Sequence, residues 1–327
     1  MKRHKICKII LAILAVFLCV AFYELIGICI TYKKQPTVSD ATIKETQNIM
    51  SVAGRENTER AVIIEKNSQA LLERVRLIQN AKDEIILSTF AFKSDESGKL
   101  ILGALHDAAD RGVHVRILVD GMESWIDMEG NPYFYGLSSH ENVEIKLYNK
   151  ANPLKPWKTM GRMHDKYLIA DGKIYILGGR NTYNYFLGDF PGHKNFDRDV
   201  LVVCDEPQKD NSVNQLWNYF ETIWEQEDCR YFHNSKKLAD RQSVKKAVLE
   251  LQEGYQQYFE VNKEKICDTD YADETFETEK IILLSNPIHT QAKEPVVWYQ
   301  LGELMKNAKE RVKIHTPYII CNDMMYN

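Results

Sequence analysis

Residues 9–32 (IILAILAVFLCVAFYELIGICITY) are apolar almost without interruption. As a helix rising about 1.5 Å per residue they cover roughly 36 Å, enough to cross the hydrocarbon core of a bilayer with some tilt. Glu24 interrupts the run toward its outer third, where a carboxylate can reach the interface or be protonated. The stretch is long for the apolar part of a cleaved signal peptide, and no small-x-small site follows before Lys33 and Lys34. The pattern therefore predicts a transmembrane anchor. Lys2, Arg3, Lys5 and Lys8 precede it and only Lys33 and Lys34 follow it closely, so residues 1–8 are expected in the cytoplasm and the rest of the chain outside it, at the cell membrane.

After the anchor, residues 33–59 are polar without sustained apolar periodicity, the pattern of a linker. A lobe is expected over 60–263. Leu71, Leu72, Val75 and Ile78 stand at helical spacing within 68–81, and the apolar run 84–92 has strand length. A helix over 99–109 ends at Gly112, followed by strands over 113–120 and 143–148. Two further strands, 166–170 and 173–177, flank Asp171-Gly172, a two-residue hairpin signal, and another begins at Asp199. From 213 to about 263 the period becomes helical, with Leu216, Tyr219, Phe220 and Ile223 on one stripe. Residues 264–279 read as an acidic, solvated linker. Strands alternating with helices argue for a layered α/β lobe with a largely buried sheet.

The segment Leu77-Ile78-Gln79-Asn80-Ala81-Lys82, which leads to Thr89, is echoed by Leu304-Met305-Lys306-Asn307-Ala308-Lys309, which leads to Thr316, at a constant offset of 227 residues. A second copy of the lobe is thus expected to start within 280–327.

A formal net charge of -4 from 42 basic and 46 acidic residues disfavours a general polyanion binder, and no basic stripe marks a nucleic-acid surface. The seven cysteines show no CxxC spacing, so neither a metal site nor a disulfide framework is indicated. Whether Cys204, Cys229, Cys267 and Cys321 pair or stay buried thiols is open at this point.

The chemistry concentrates in one stretch, MHDKYLIADGKIYILGGRN, from Met163 to Asn181. His164-x-Lys166, four positions, Asp171, six positions, and Gly178-Gly179-x-Asn181 match the HxKxxxxDxxxxxxGGxN signature of the phospholipase D superfamily without a gap. Six fixed residues at fixed spacing arise by chance on the order of once in 10⁵ chains of this length. In detail, GGRNTYNYFLGD followed by FDRDVLVV resembles the bacterial cardiolipin synthases, especially their C type.

The residue types suit the match. Positions 164 and 166 project from one face of an extended chain, bringing an imidazole nucleophile beside a phosphate-binding ammonium. Lys166, the Asn181 amide and nearby backbone N–H groups can hold the non-bridging oxygens, Gly178 and Gly179 allow close backbone approach, and no metal or other cofactor is called for. A histidine nucleophile needs a carboxylate on its other ring nitrogen; Asp197 and Asp199 are both candidates. Asp171, at the hairpin, serves either the turn or the chemistry.

The resemblance implies an α/β/α lobe with a mixed sheet, and a phosphohistidine intermediate resolved by water or by an alcohol. It also implies a second lobe, opened by TPYII at 316–320, whose histidine protonates the leaving group. No second His-x-Lys occurs in the sequence, and the repeat offset would put that histidine at roughly position 391. The chain is accordingly expected to be incomplete, its partner being a missing second lobe or, alternatively, a second copy in a homodimer. The expected activity is a membrane-anchored phosphatidyltransferase or phosphodiesterase acting on phospholipid. The alternatives are a nuclease of the same superfamily and an inactive truncated membrane protein.

Overall fold

The computed structural model of the chain describes residues 2–51, 58–233 and 235–314. The apolar N-terminal run forms one helix, α1 (Lys2–Tyr32), and its Lys5–Tyr32 portion is long and apolar enough to cross a membrane. A second helix, α2 (Asp40–Ser51), lies inside the segment whose polarity suggested a bare linker. Capping rather than periodicity starts it: Ser39 Oγ accepts the Thr42 N–H at 3.2 Å, and Asp40 stands in the first turn against the helix dipole.

The chain then runs through β1 (Arg60–Ile64), α3 (Asn67–Asn80), β2 (Glu84–Thr89), α4 (Glu96–Asp110), β3 (His114–Asp120), α5 (Gly121–Asp127), α6 (Pro132–Ser138) and β4 (Val143–Tyr148). Side-chain caps set the helix starts. Asp95 accepts the Gly98 N–H, Asp120 the Met122 N–H, and Asn131 the Tyr133 N–H ahead of α6, whose first residue is Pro132. After a single 3₁₀ turn at Pro156–Lys158 come β5 (Tyr167–Ala170), β6 (Ile174–Gly178), β7 (Asp199–Val203), α7 (Ser212–Trp224), β8 (Cys229–Tyr231), α8 (Lys236–Ala239), α9 (Gln242–Cys267), β9 (Phe276–Glu277) and α10 (Val296–Lys306). The helical period read over 213–263 is thus broken by β8, which pairs antiparallel with β4.

The sheet is mixed, in the order β8-β4-β3-β2-β5-β6-β7-β1-β9. β2, β3 and β4 are parallel, and every other neighbour is antiparallel. Alternation sorts the side chains between two cores. Ile85, Leu87, Ile117 and Val119 face Leu71, Ile101, Leu105 and Leu251 of α3, α4 and α9, whereas Ile86, Leu118, Ile169 and Val202 face Leu216, Phe220 and Trp224 of α7. The result is an α/β/α sandwich.

The acidic stretch 264–279 is structured rather than a linker, although its acidic residues stay exposed. Its first residues extend α9 to Cys267, Arg76 lies 3.9 Å over the Tyr271 ring and pairs with Glu274, and β9 adds to β1. Glu277 pairs with Arg60, and Asp268 and Glu274 with Arg76, long-range partners that a charge count does not reveal. Cys204 and Cys229 are buried, unpaired thiols.

By compactness, α1, the sheet and α3 to α9 belong to one unit, and α2, α10 and residues 284–287 to a second. In the second unit Glu294 Oε1 accepts the Ser39 N–H at 2.7 Å and the Thr42 hydroxyl at 2.6 Å. The expected strand at 316–320 lies outside the described residues.

Candidate active site

The register brings the C-terminal ends of β2, β3, β4 and β6 and the N-terminal ends of β5 and β7 to one edge: Ser88 pairs with Tyr167, Asp120 with Tyr148, and Gly178 with Asp199. His164 and Lys166 arrive there in the extended segment just before β5. Gly178 donates its N–H to Lys166 O at 3.1 Å, which carries the ladder one residue past the strand. Beyond β6, Thr182 and Ala91–Lys93 exchange backbone hydrogen bonds, which sets Asn181 beside the end of β2.

His164 is exposed, with its ring edge-on to Phe90 at 4.6 Å between centroids. Lys166 is buried; its Nζ donates to His164 O at 2.5 Å and stands 5.3 Å over the Phe90 ring. Burial pushes the Lys166 ammonium down to about 8, against the pull of Asp165, Asp197 and Asp120. Partial desolvation of the His164 ring, helped by the Lys166 charge, holds it below the ordinary imidazole range, which favours the neutral ring. Asn181 Oδ1 accepts the Ala91 N–H at 3.1 Å, so the amide nitrogen is the end that can donate to a ligand.

The two candidate carboxylates have different surroundings. Asp199 is fully buried between Arg74 (2.9 Å) and Arg180 (3.2 Å), as charge pairs without the alignment of hydrogen bonds. Asp197 instead turns to the site edge: its carboxyl carbon lies 2.6 Å from where a Cβ on Gly179 would stand, and its charge is felt by Lys166. Arg180 holds the Asp197 carbonyl as well as the Ile64 and Glu65 carbonyls, so one guanidinium fixes the entry to β7.

Asp171 is brought to the opposite edge, a β5 length from His164 and roughly 20 Å away at about 3.3 Å per residue. Its carboxylate accepts the backbone N–H groups of Lys82, Asp83 and Glu84, and with φ of 52° it forms the left-handed turn with Gly172.

Sequence reading missed the support beneath the histidine. Asp120, buried at the end of β3, accepts from Arg162 Nη1 at 3.0 Å and from the Met163 N–H at 3.1 Å, while Arg162 Nη2 donates to Asn149 O. An acidic residue ending a parallel strand was the available signal. Arg180, at the variable position of GGxN, was signalled by a lone charge at the exit of an apolar strand. Among the described residues no group of three or more His, Cys, Asp or Glu is arranged to hold a metal ion.

An imidazole, an ammonium, an amide and a carboxylate therefore share one strand edge. That set can attack a phosphodiester, hold its oxygens and orient the attacking ring.

Residues 75–224 match the family described as "Cardiolipin synthase, PLD-like domain". The chain is 27% identical to an uncharacterized protein of Helicobacter pylori over 292 residues, covering 81% of this chain and 55% of that one. It is 29% identical to cardiolipin synthase C of Escherichia coli over 154 residues, covering 43% of this chain and 31% of the relative. Among solved structures, phosphatidylserine synthase of Haemophilus influenzae aligns over 68% of this chain and 48% of its own, with a TM-score of 0.46 and 16% identity. The chain spans about half or less of the length of these relatives.

Proposed function

We propose that the chain, which resembles the phospholipase D superfamily and in particular the cardiolipin synthases, is a membrane-anchored lobe of a phosphatidyltransferase or phosphodiesterase acting on phospholipid. The reading rests on the meeting of His164, Lys166, Asn181 and Asp197 at one sheet edge. His164 attacks phosphorus through a ring nitrogen, the P–O bond to the leaving alcohol breaks, and the phosphoryl group becomes bonded to the imidazole. Lys166 and the Asn181 amide hold the non-bridging oxygens, and the Asp197 carboxylate orients the ring. An alcohol or water then attacks the phosphohistidine, its proton passing to the group that protonated the leaving oxygen, the P–N bond breaks and His164 is released. The leaving oxygen takes its proton from a second motif of the same kind, in another lobe or another copy, since this sequence carries one His-x-Lys.

α1 anchors the lobe, with the basic N-terminus in the cytoplasm and the sheet on the other side. The test is incubation of the full chain, together with its second lobe or as a dimer, with radiolabelled phosphatidylglycerol and separately with plasmid DNA. Lipid turnover with an acid-labile phosphoenzyme that His164→Ala abolishes is expected. Nicking of DNA without lipid turnover would replace the lipid reading by a nuclease.

A further inference from the structure

We infer that the sheet edge carrying His164 docks on the surface of the bilayer that holds α1, through an apolar rim that enters the headgroup region, so that lipid reaches the site from the leaflet without crossing water. The inference deepens the phospholipid reading and rests on it for the identity of the substrate.

The first observation is where α1 touches the lobe. Its residues 5–23 are exposed, and the first covered stripe is Glu24, Gly27, Ile28, Thr31 and Tyr32. That stripe runs along the Pro156–Lys158 turn, and Tyr32 donates its hydroxyl to the Thr290 carbonyl at 3.1 Å. Thr290 in turn packs on Gly161, where a Cβ would stand 2.6 Å from the Thr290 Cα. A hydrocarbon core about 30 Å thick takes roughly 20 helical residues, so a span entering near Ile9 leaves the core close to Ile28. The lobe therefore meets α1 at the depth where the membrane interface begins, and it does so through the segment that leads straight into His164.

The second observation is what surrounds that contact. Trp125 and Ile126 on α5, Leu154 and Met160 on the loop after β4, and Phe196 just before Asp197 are 65%, 66%, 79%, 61% and 81% exposed. Each belongs to a segment leaving or entering the sheet at the His164 edge. Five large apolar side chains exposed around one edge are out of keeping with a solvated surface, and an indole near the boundary suits an interface between oil and water. The exposed Lys150 and Lys155 on the same loop complement anionic headgroups. A protein partner or a second copy would need an apolar rim but would have no reason to be continuous with a membrane helix.

The experiment places the full chain in nanodiscs of phosphatidylglycerol and phosphatidylcholine, with or without bromine on the upper acyl chain. The contribution of Trp125 is read as the fluorescence difference between the wild type and Trp125→Phe. Bromine is expected to quench that contribution at least two-fold, equally in a His164→Ala background, with aqueous iodide having little effect; Leu154→Asp with Met160→Asp should reverse the pattern. A Trp125 signal insensitive to bromolipid and quenched by iodide would overturn the docking. Quenching without lipid turnover would instead leave the docking standing and remove the catalytic reading.

Discussion

Asp197 fills the space that a side chain at residue 179 would occupy, its carboxyl carbon standing 2.6 Å from the Cβ position of Gly179. The obstruction is the far end of one side chain, so Gly179→Ala can be accommodated by turning Asp197 aside. The expected outcome is a kcat lower by about 10² with a nearly unchanged melting temperature, the mark of a displaced orienting group. Gly178→Ala meets the buried Asp199 carboxylate and, beyond it, backbone as well, at 2.7 Å from both Arg198 O and Asp199 Cα, and should lower the melting temperature. Thermal melts and turnover of the two variants side by side decide this; equal stability loss in both would remove the distinction.

Replacing the two aspartates should separate chemistry from folding. Asp197→Asn keeps the shape and loses the charge at the site edge, so kcat falls while stability holds. Asp199→Asn leaves Arg74 and Arg180 buried without their counter-charge, a loss of about 3–5 kcal/mol. At about 2–4 °C per kcal/mol for a lobe of this size, the melting temperature should drop by roughly 6–20 °C. If Asp199→Asn melts normally and Asp197→Asn keeps full turnover, their roles are exchanged.

The reason this difference was illegible in the sequence is physical. His164, Lys166, Gly178, Gly179 and Asn181 lie within one hairpin, so spacing alone brings them to one edge. Asp197 and Asp199 share a face by strand alternation, and what divides them is Arg74 from α3 and Arg180 from the exit of β6, contacts that span most of the lobe. The Asp120–Arg162 pair is equally non-local. A central strand such as β2, within the apolar run 84–92, was readable because such a run bounded by turns has few other uses; β1, β8 and β9 at or near the sheet margins were not, being short and polar or paired with distant segments. The helix at Asp40–Ser51 is polar overall and buries threonines, Thr42 and Thr46, so no apolar stripe marks it in the sequence.

Asp171 stands in the motif yet far from the imidazole, which predicts a structural role. Asp171→Ala removes the acceptor from the Lys82, Asp83 and Glu84 amides and leaves a left-handed turn to a residue that resists it. A loss of about 1–3 kcal/mol is expected, with turnover per folded molecule intact. Asp171→Asn retains an acceptor oxygen and tolerates the turn, so it should lose less. Circular-dichroism melts alongside active-site titration would show this; a large fall in kcat at unchanged stability would return Asp171 to the chemistry.

The final prediction is the pH dependence of kcat/KM. His164 must be neutral to attack, and burial with the Lys166 charge sets its pKa below the ordinary 6.5, so activity rises through a point under 6.5. Lys166 must be charged to hold the phosphate oxygens, and its pKa is pushed down to about 8, so activity falls as pH rises through that value. The profile is therefore a bell with its plateau between the two. A bound phosphodiester anion favours the ammonium, so the alkaline limb of kcat should lie above that of kcat/KM. Lys166→Arg supplies a cation that does not titrate in this range. It lowers kcat through altered geometry but should carry the alkaline limb more than one unit higher. An alkaline limb that stays near 8 in Lys166→Arg would show that another group controls it.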